Sequence, residues 1–394
     1  MLDRRRRGQN TTRVESVSVR ALWLIKGLGP GGAEQQLVEL ARHAQGRTLD
    51  AQAIYVLSRK DRLAPSLVEA GVPTRSLGVS RLSDLRWLWR LRPAIRDADV
   101  DIVHSHSPLV AVAARLVVRT IRSRPAVIST EHNVWQARRW PTRIANALTF
   151  GLDDLHIAVS QRVRDSFPRP LRRSTVVIDH GVDTAAIAPM SERRGATRSA
   201  LGLRDDQIVL CTIANFRWQK GYPELLGGIR SVIDTGRDVR LLIIGQGPLE
   251  SEVVSLCEEL DLLGHVTLLG HRFDAVEILA ASDVFVLASR HEGYPIVVLE
   301  ALAAGVPIVS TDVGAVPSVV TEGREGRIVP VGDSAALAQA VIELVDDPEL
   351  RMRMSACARE RSRAFDITAS VARLLDVYRA VAQRRDRGPR HRSG

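Results

Sequence analysis

Aromatic residues make up only 4% of this 394-residue chain, too few for the interleaving of rings and cations on which single-stranded nucleic acids stack. No DNA-reading helix signature stands out either, so no nucleic acid is expected as a partner. Cysteine is equally scarce. Cys211, Cys257 and Cys357 lie far apart, with no CxxC and no histidine at ligand spacing, so neither a disulfide framework nor a zinc site is indicated, and the three thiols read as packing residues. No window reaches the roughly 18 apolar residues that a spanning helix needs, and no apolar stretch follows the N-terminal charges to make a signal peptide. A cytoplasmic protein is expected.

What is present is an ordinary globular composition, 45% hydrophobic and 25% charged, in a chain long enough for about two domains. The net charge of +10 favours anionic partners without choosing among them. Part of the excess sits in "RRRR" at 4 to 7 and "RRDRGPRHR" at 384 to 392, which read as solvated basic tails over 1–17 and 385–394.

Short runs rich in Val, Ile and Leu alternate with longer amphipathic segments: "VRALWLIK", "AQAIYVLS", "VDIVHSHS", "PAVISTEHN", "LHIAVS" and "STVVIDHG". This is the signature of βα units on a parallel sheet. The run breaks near 184 to 206, where Pro189, Gly195 and a cluster of Arg and Ser interrupt the apolar pattern, and a linker is placed there. It restarts with "QIVLCTIAN", "VRLLIIGQG", "HVTLLG", "DVFVLAS", "VPIVST" and "GRIVPVG". Two amphipathic helices, around 334 to 363 and 366 to 384, close the chain. The expected architecture is α/β, with two doubly wound Rossmann-like domains, 18–188 and 189–365, and a last helix, 366–384, able to cross back to the first. Ligands of such sheets sit beyond the carboxyl ends of the strands, so the strand-to-helix loops are where function should lie.

The stretch "RHEGYPIVVLEALAAGVPIVSTD", 290 to 312, is one βαβ unit, with Pro295 suited to the first helical turn and Gly305 to its C-terminal stop. Glu292 then lies in the loop and Glu300 inside an otherwise apolar helix, where a carboxylate is costly unless it accepts hydrogen bonds. The vicinal hydroxyls of a ribose are natural donors to it, and the N-terminus of the helix would welcome a phosphate. Gly293 lets the backbone come close. The spacing of the two acids, and the block "EGYPIVVLEALAAGVPIVSTDVGAVPSVV" that carries them, resemble the Glu-x7-Glu signature of the family 4 retaining glycosyltransferases of GT-B fold. The resemblance covers about 20 to 380, more strongly in the second half. It implies that Glu300 binds the nucleotide ribose, while Glu292, with Gly293, Tyr294 and Pro295, contacts the donor sugar and diphosphate.

Two further loops complete the expected site. "TIANFRWQKGYPELL", 212 to 226, offers Arg217 and Lys220, cations able to neutralise a departing diphosphate. In the family the arginine more often stands five positions before the lysine, where this chain has Asn215, so Lys220 is the firmer assignment. In "IKGLGPGGAEQQLVELA" the spacing of Gly27, Gly29 and Gly32 matches GxGxxG, a weak signal alone. The segment also resembles the family's glycine loop, in which Gly31 and Gly32 leave room for diphosphate and sugar. "VHSHS" and "STEHN" place His104, His106, Glu131 and His132 at strand ends; family likeness sends His132 to the donor sugar and gives His104 and His106 a supporting role. Asp97, Asp99 and Asp101 formally match DxD but precede their strand, and read as solvated charge opposite the cleft.

The resemblance implies a retaining, metal-independent glycosyltransferase without a cofactor, using a UDP-, GDP- or ADP-sugar and a glycan or lipid-linked acceptor. A sugar-nucleotide epimerase of the same fold, and a non-catalytic binder of sugar nucleotides or anionic lipid, are the alternatives. "RLSDLRWLWRLRPAIR", 81 to 96, and "WQARRWPTRI", 135 to 144, mix Trp, Leu and Arg as a helix at an anionic membrane surface would. In the first of them Leu82, Leu85 and Leu88 or Trp89 could equally be a core face.

Overall fold

A computed structural model describes residues 18–44 and 49–386; the two basic tails fall outside the described residues apart from the backbone at 385 and 386. The first sheet comprises β1 (Val19–Ile25), β2 (Leu49–Leu57), β3 (Thr74–Val79), β4 (Ile102–Ser105), β5 (Ala126–Glu131), β6 (Leu155–Ala158) and β7 (Thr175–Val177). The second comprises β8 (Ile208–Ile213), β9 (Val239–Ile244), β10 (Val266–Gly270), β11 (Val284–Leu287), β12 (Ile308–Thr311) and β13 (Gly326–Val329). Every pairing within the two sheets is parallel. Central strands such as Ile102–Ser105 and Val284–Leu287 are buried along their whole length, as strands covered by helices on both faces must be.

The strand orders are β3-β2-β1-β4-β5-β6-β7 and β10-β9-β8-β11-β12-β13. Each reverses direction once, between β1 and β4 and between β8 and β11. At such a switch point the flanking loops part and leave a crevice at the carboxyl edge. The loops after β1, β4, β8 and β11 are those that carry the glycine, histidine, Arg-Lys and Glu-x7-Glu segments.

Four differences from the sequence reading have plain physical causes. The 184–206 segment is largely helical (Thr184–Ile187, Ala188–Arg193, Arg194–Ala200) and packs against the Ala275–Ala280 and Ile296–Ala304 helices; here tertiary packing overrides weak propensity. The expected 334–363 helix is two, Ser334–Asp346 and Pro348–Ser362. Pro348 cannot continue a helix, whereas Asp347 caps a new one by accepting from the Leu350 amide at 2.8 Å. The core face of Arg86–Asp97 is Trp87, Leu91, Ala94 and Ile95, with Trp89 84% and Leu85 61% exposed. Asp99 and Asp101 do lie at the amino end of β4, but they bind Arg20 at 2.6 and 2.9 Å rather than standing free.

The final helix, Ile367–Asp386, packs against the Gly32–Ala44 helix and the first sheet. The chain passes between lobes where Val182 and Asp366 bridge. Tyr378 is fully buried beneath β1, and its hydroxyl accepts from the Trp23 indole at 3.0 Å.

Candidate active site

The carboxyl edges of the two sheets meet face to face. Asn215, after β8, donates to the Pro30 carbonyl after β1 at 3.1 Å. Arg62, after β2, donates to Gln246, after β9, at 3.0 Å. Arg162, after β6, pairs with Asp312 at 3.0 Å and donates to the Gly314 carbonyl at 3.2 Å. Between these, Gly293 abuts the His132 carbonyl so closely that a Cβ built on it would sit 1.8 Å from that oxygen. Glycine is required there by the approach of the lobes. At Gly221 the reason is different: φ is +67° and a Cβ would lie 2.0 Å from the Ala288 carbonyl, so only glycine lets the Lys220 loop turn against β11.

The Ile296–Ala304 helix begins at Pro295, its N-cap, one residue later than expected. Its positive end points at the junction of the lobes. Glu292 accepts from Lys220 Nζ at 2.6 Å and from Ser289 Oγ at 2.7 Å, so the loop acid and the loop lysine are held together. Glu300 is about one turn in from the helix start, half-buried, and makes no hydrogen bond or ion pair with any described residue. Burial pushes its carboxyl up to about 7, and the charge of Glu39 adds to the shift. A carboxylate so placed lacks the donors that would stabilise its charge. Tyr294 is buried, its ring edge-on to His180 at 5.4 Å, and burial raises its hydroxyl.

Arg217 does not join the Lys220–Glu292 pair. It stands exposed on the glycine-loop side, in the field of Lys26 and Glu34. Lys26, lowered by burial and then by Lys60 and Arg217, completes a cationic group around that loop. Gly31 lies under the Glu34 carboxylate, and Gly32 opens the Gly32–Ala44 helix opposite Ile296. The lysines of this group were missed in the sequence. They follow β1 and β2, so the strand-end criterion already applied to the histidines would have found them.

Four histidines line up behind the contact point. Ring centroids are 4.2 Å apart for His104 and His106, 5.7 Å for His106 and His132, and 5.3 Å for His132 and His180. His104 binds the Tyr378 hydroxyl through Nδ1 at 2.6 Å and Thr130 Oγ1 through Nε2 at 2.7 Å. Because the indole of Trp23 can only donate, the Tyr378 hydroxyl accepts from it and keeps its own proton available for Nδ1, an arrangement that fits the neutral Nε2–H tautomer of His104. Burial drives its pKa down to about 3 and that of His132 to about 4, and holds His106 and His180 far below the ordinary histidine value. The ladder is uncharged at physiological pH. His180, after β7, is a member that the sequence reading overlooked.

Among the described residues no group of three His, Cys, Asp or Glu has the arrangement to hold a metal, and no helix is long and apolar enough to cross a membrane.

Residues 194–361 match the family model of Glycosyl transferases group 1, and residues 30–186 match that of Glycosyltransferase Family 4. The chain is 29% identical over 377 residues to a phosphatidyl-myo-inositol mannosyltransferase of Mycobacterium leprae, covering 90% of this chain and 94% of that one. It is 26% identical over 332 residues to an Escherichia coli UDP-Gal:alpha-D-GlcNAc-diphosphoundecaprenol alpha-1,3-galactosyltransferase, covering 81% and 85%. Its fold superposes on the crystal structure of Anabaena Alr3699/HepE in complex with UDP and glucose with a TM-score of 0.81, at 20% identity, over 92% of this chain and all of that one.

Proposed function

The chain belongs to the family 4, group 1 glycosyltransferases of GT-B fold, and from that membership we propose a retaining, metal-independent transfer of sugar from a nucleotide-diphosphate donor to an acceptor hydroxyl. The observation that carries the reading is Glu300: a carboxylate with no partner among the described residues, made costly by its surroundings, inside the helix whose N-terminus faces the Lys220–Glu292 pair. A ribose supplies the missing donors. The diphosphate then lies against the helix N-terminus and Lys220, with Arg217 reaching it from the glycine-loop side and Gly31 and Gly32 giving it room. Glu292 turns from Lys220 to the sugar hydroxyls, beside the backbone of Gly293 to Pro295, and His132 meets the sugar from the opposite lobe.

The reaction breaks the anomeric C–O bond to the diphosphate and forms a bond to the acceptor oxygen on the same face. The acceptor proton passes to the departing phosphate oxygen. Lys220 stabilises the charge that develops there. In this division of labour 189–365 holds the donor and 18–188 the acceptor.

The two curated relatives act, by name, on a phosphatidylinositol and a diphosphoundecaprenol-linked sugar, which supports a lipid-linked or glycan acceptor here. Contact with an anionic membrane is supported by the Trp140–Thr149 helix, whose Trp140, Ile144 and Leu148 are 72%, 50% and 80% exposed at helical spacing beside Arg139. The neighbour holding UDP and glucose supports a uridine donor among the UDP-, GDP- and ADP-sugars.

A thermal-shift panel of these three classes tests the reading, followed by NMR of the product's anomeric centre and by turnover in a chelator. Stabilisation by one class, an unchanged anomeric configuration and activity without metal are expected. An inverted product, or free epimer with no acceptor consumed, would refute it.

A further inference from the structure

A cavity lies behind the histidine ladder, between the Gly32–Ala44 helix, the ends of β4 to β6, the 178–180 segment and the final helix. It offers about 30 Å³ to water-sized molecules, room for roughly two waters or one hydroxymethyl group. Beside the donor-facing His132, two of its side chains carry buried polar atoms without a partner among the described residues: both amide atoms of Gln36 and Nε2 of His106. Gln36 is 2% and His106 6% exposed. Polar groups so enclosed are costly unless something completes their hydrogen bonds.

The lining selects the completing group. Among the described residues its lining contains no lysine or arginine, and its one carboxyl is Asp179, so an anion would enter with no countercharge and against a neighbour of its own sign. A cation would meet neutral imidazoles, without the geometry of a metal site. An apolar group would leave all three atoms orphaned. A hydroxyl both donates and accepts, as an amide and a neutral imidazole require. No residue of 208–329 lines the cavity, so it belongs to the lobe opposite the donor.

We propose that this cavity is an acceptor subsite for an uncharged hydroxyl or hydroxymethyl group, so that the acceptor presents a neutral polyol or sugar terminus here, not a carboxylate or phosphate ester. The assignment rests on the glycosyltransferase reading above, and adds Gln36 and His106 as residues that decide acceptor class.

The test is saturation-transfer NMR and calorimetry on the full chain, with and without UDP, using methyl α-D-glucopyranoside and its uronate as matched neutral and anionic probes. The neutral probe should bind at least about tenfold more tightly, the equivalent of one hydrogen bond. Gln36→Leu and His106→Phe should each weaken it about tenfold while leaving UDP affinity within about twofold, a split that misfolding would not give. Equal or tighter binding of the uronate, unchanged neutral binding in both variants, or no saturable neutral binding because ordered water is the only occupant would each overturn the proposal. Failure of UDP, GDP and ADP alike to bind would sink the parent reading alone, since the nucleotide-free titrations still judge the cavity.

Discussion

Replacing Glu300 with glutamine should make the free protein more stable and the nucleotide complex weaker. The carboxyl's pKa rises from 4.5 to about 7 in the folded chain. A raised acid contributes its full stability below the unfolded value and loses it as pH climbs through the folded one. Between about pH 4.5 and 7, therefore, stability falls with pH, and above pH 7 the ionised side chain costs about 3 kcal/mol at about 1.4 kcal/mol per unit. Glu300→Gln removes that cost. For a lobe of this size the melting temperature at pH 8 should rise by several degrees and at pH 4.5 hardly at all. The ligand effect has the opposite sign. Two ribose hydroxyls donating to a carboxylate are charge-assisted bonds, and weakening them should reduce nucleotide affinity about 10- to 100-fold. At a concentration that gives the native protein about 2.7 kcal/mol of stabilisation, 100 times its dissociation constant, about half or more of the thermal shift should vanish. Scanning fluorimetry at pH 4.5 and 8, with and without UDP, reads both effects. A variant no more stable than the native chain at pH 8, or one keeping the full nucleotide shift, would refute the reasoning.

Lys220→Met should lower kcat about 10²- to 10³-fold in steady-state transfer assays, with the loss in the rate exceeding that in donor KM, because the charge it meets develops as the phosphate leaves. Gly293→Ala should leave each lobe folded yet hold them apart, since the added methyl would fall 1.8 Å from the His132 carbonyl. Small-angle scattering should show a larger radius of gyration, and activity should fall sharply while the melting temperature changes little. Trp140→Ser combined with Leu148→Ser should abolish co-sedimentation with vesicles containing anionic lipid and spare activity on a water-soluble acceptor.

The fold was legible because parallel strands buried on both faces are near-continuous apolar runs, and each helix between them announces itself by period and punctuation. Asp347–Pro348 escaped because a proline that can open a new helix looks, in a long periodic segment, like one that merely kinks an old one. The acids were legible for a different reason. Glu300 violates its surroundings, and a residue that breaks the local rule without an evident gain marks a place where something outside the chain completes the structure. Its loop partner was found by spacing. What spacing could not give is that Glu292 and Lys220 bind each other at 2.6 Å, since they lie 72 residues apart in sequence.

The cross-lobe contacts were hidden for the same reason, and they alter the meaning of one departure from the family pattern. Asn215 stands where an arginine is more usual, and sequence alone made it a deficit to be covered by Arg217. In the structure Asn215 reaches the Pro30 carbonyl, and Arg217 stands in the field of Lys26 on the other lobe. Asn215 serves as a latch between the lobes, and Lys26 and Lys60 stand on the lobe that the latch meets. On the proposed reading the site's capacity for an anion would depend on closure: open, the donor lobe would offer Lys220, Arg217 and the helix N-terminus, and Lys26 and Lys60 would add their field when Asn215 meets Pro30. Asn215→Arg should on this argument tighten binding of the nucleoside diphosphate to the open form while slowing turnover, because product release would no longer be coupled to the parting of the lobes. Stopped-flow release of UDP would detect it, and unchanged release with unchanged affinity would show that closure and charge are independent.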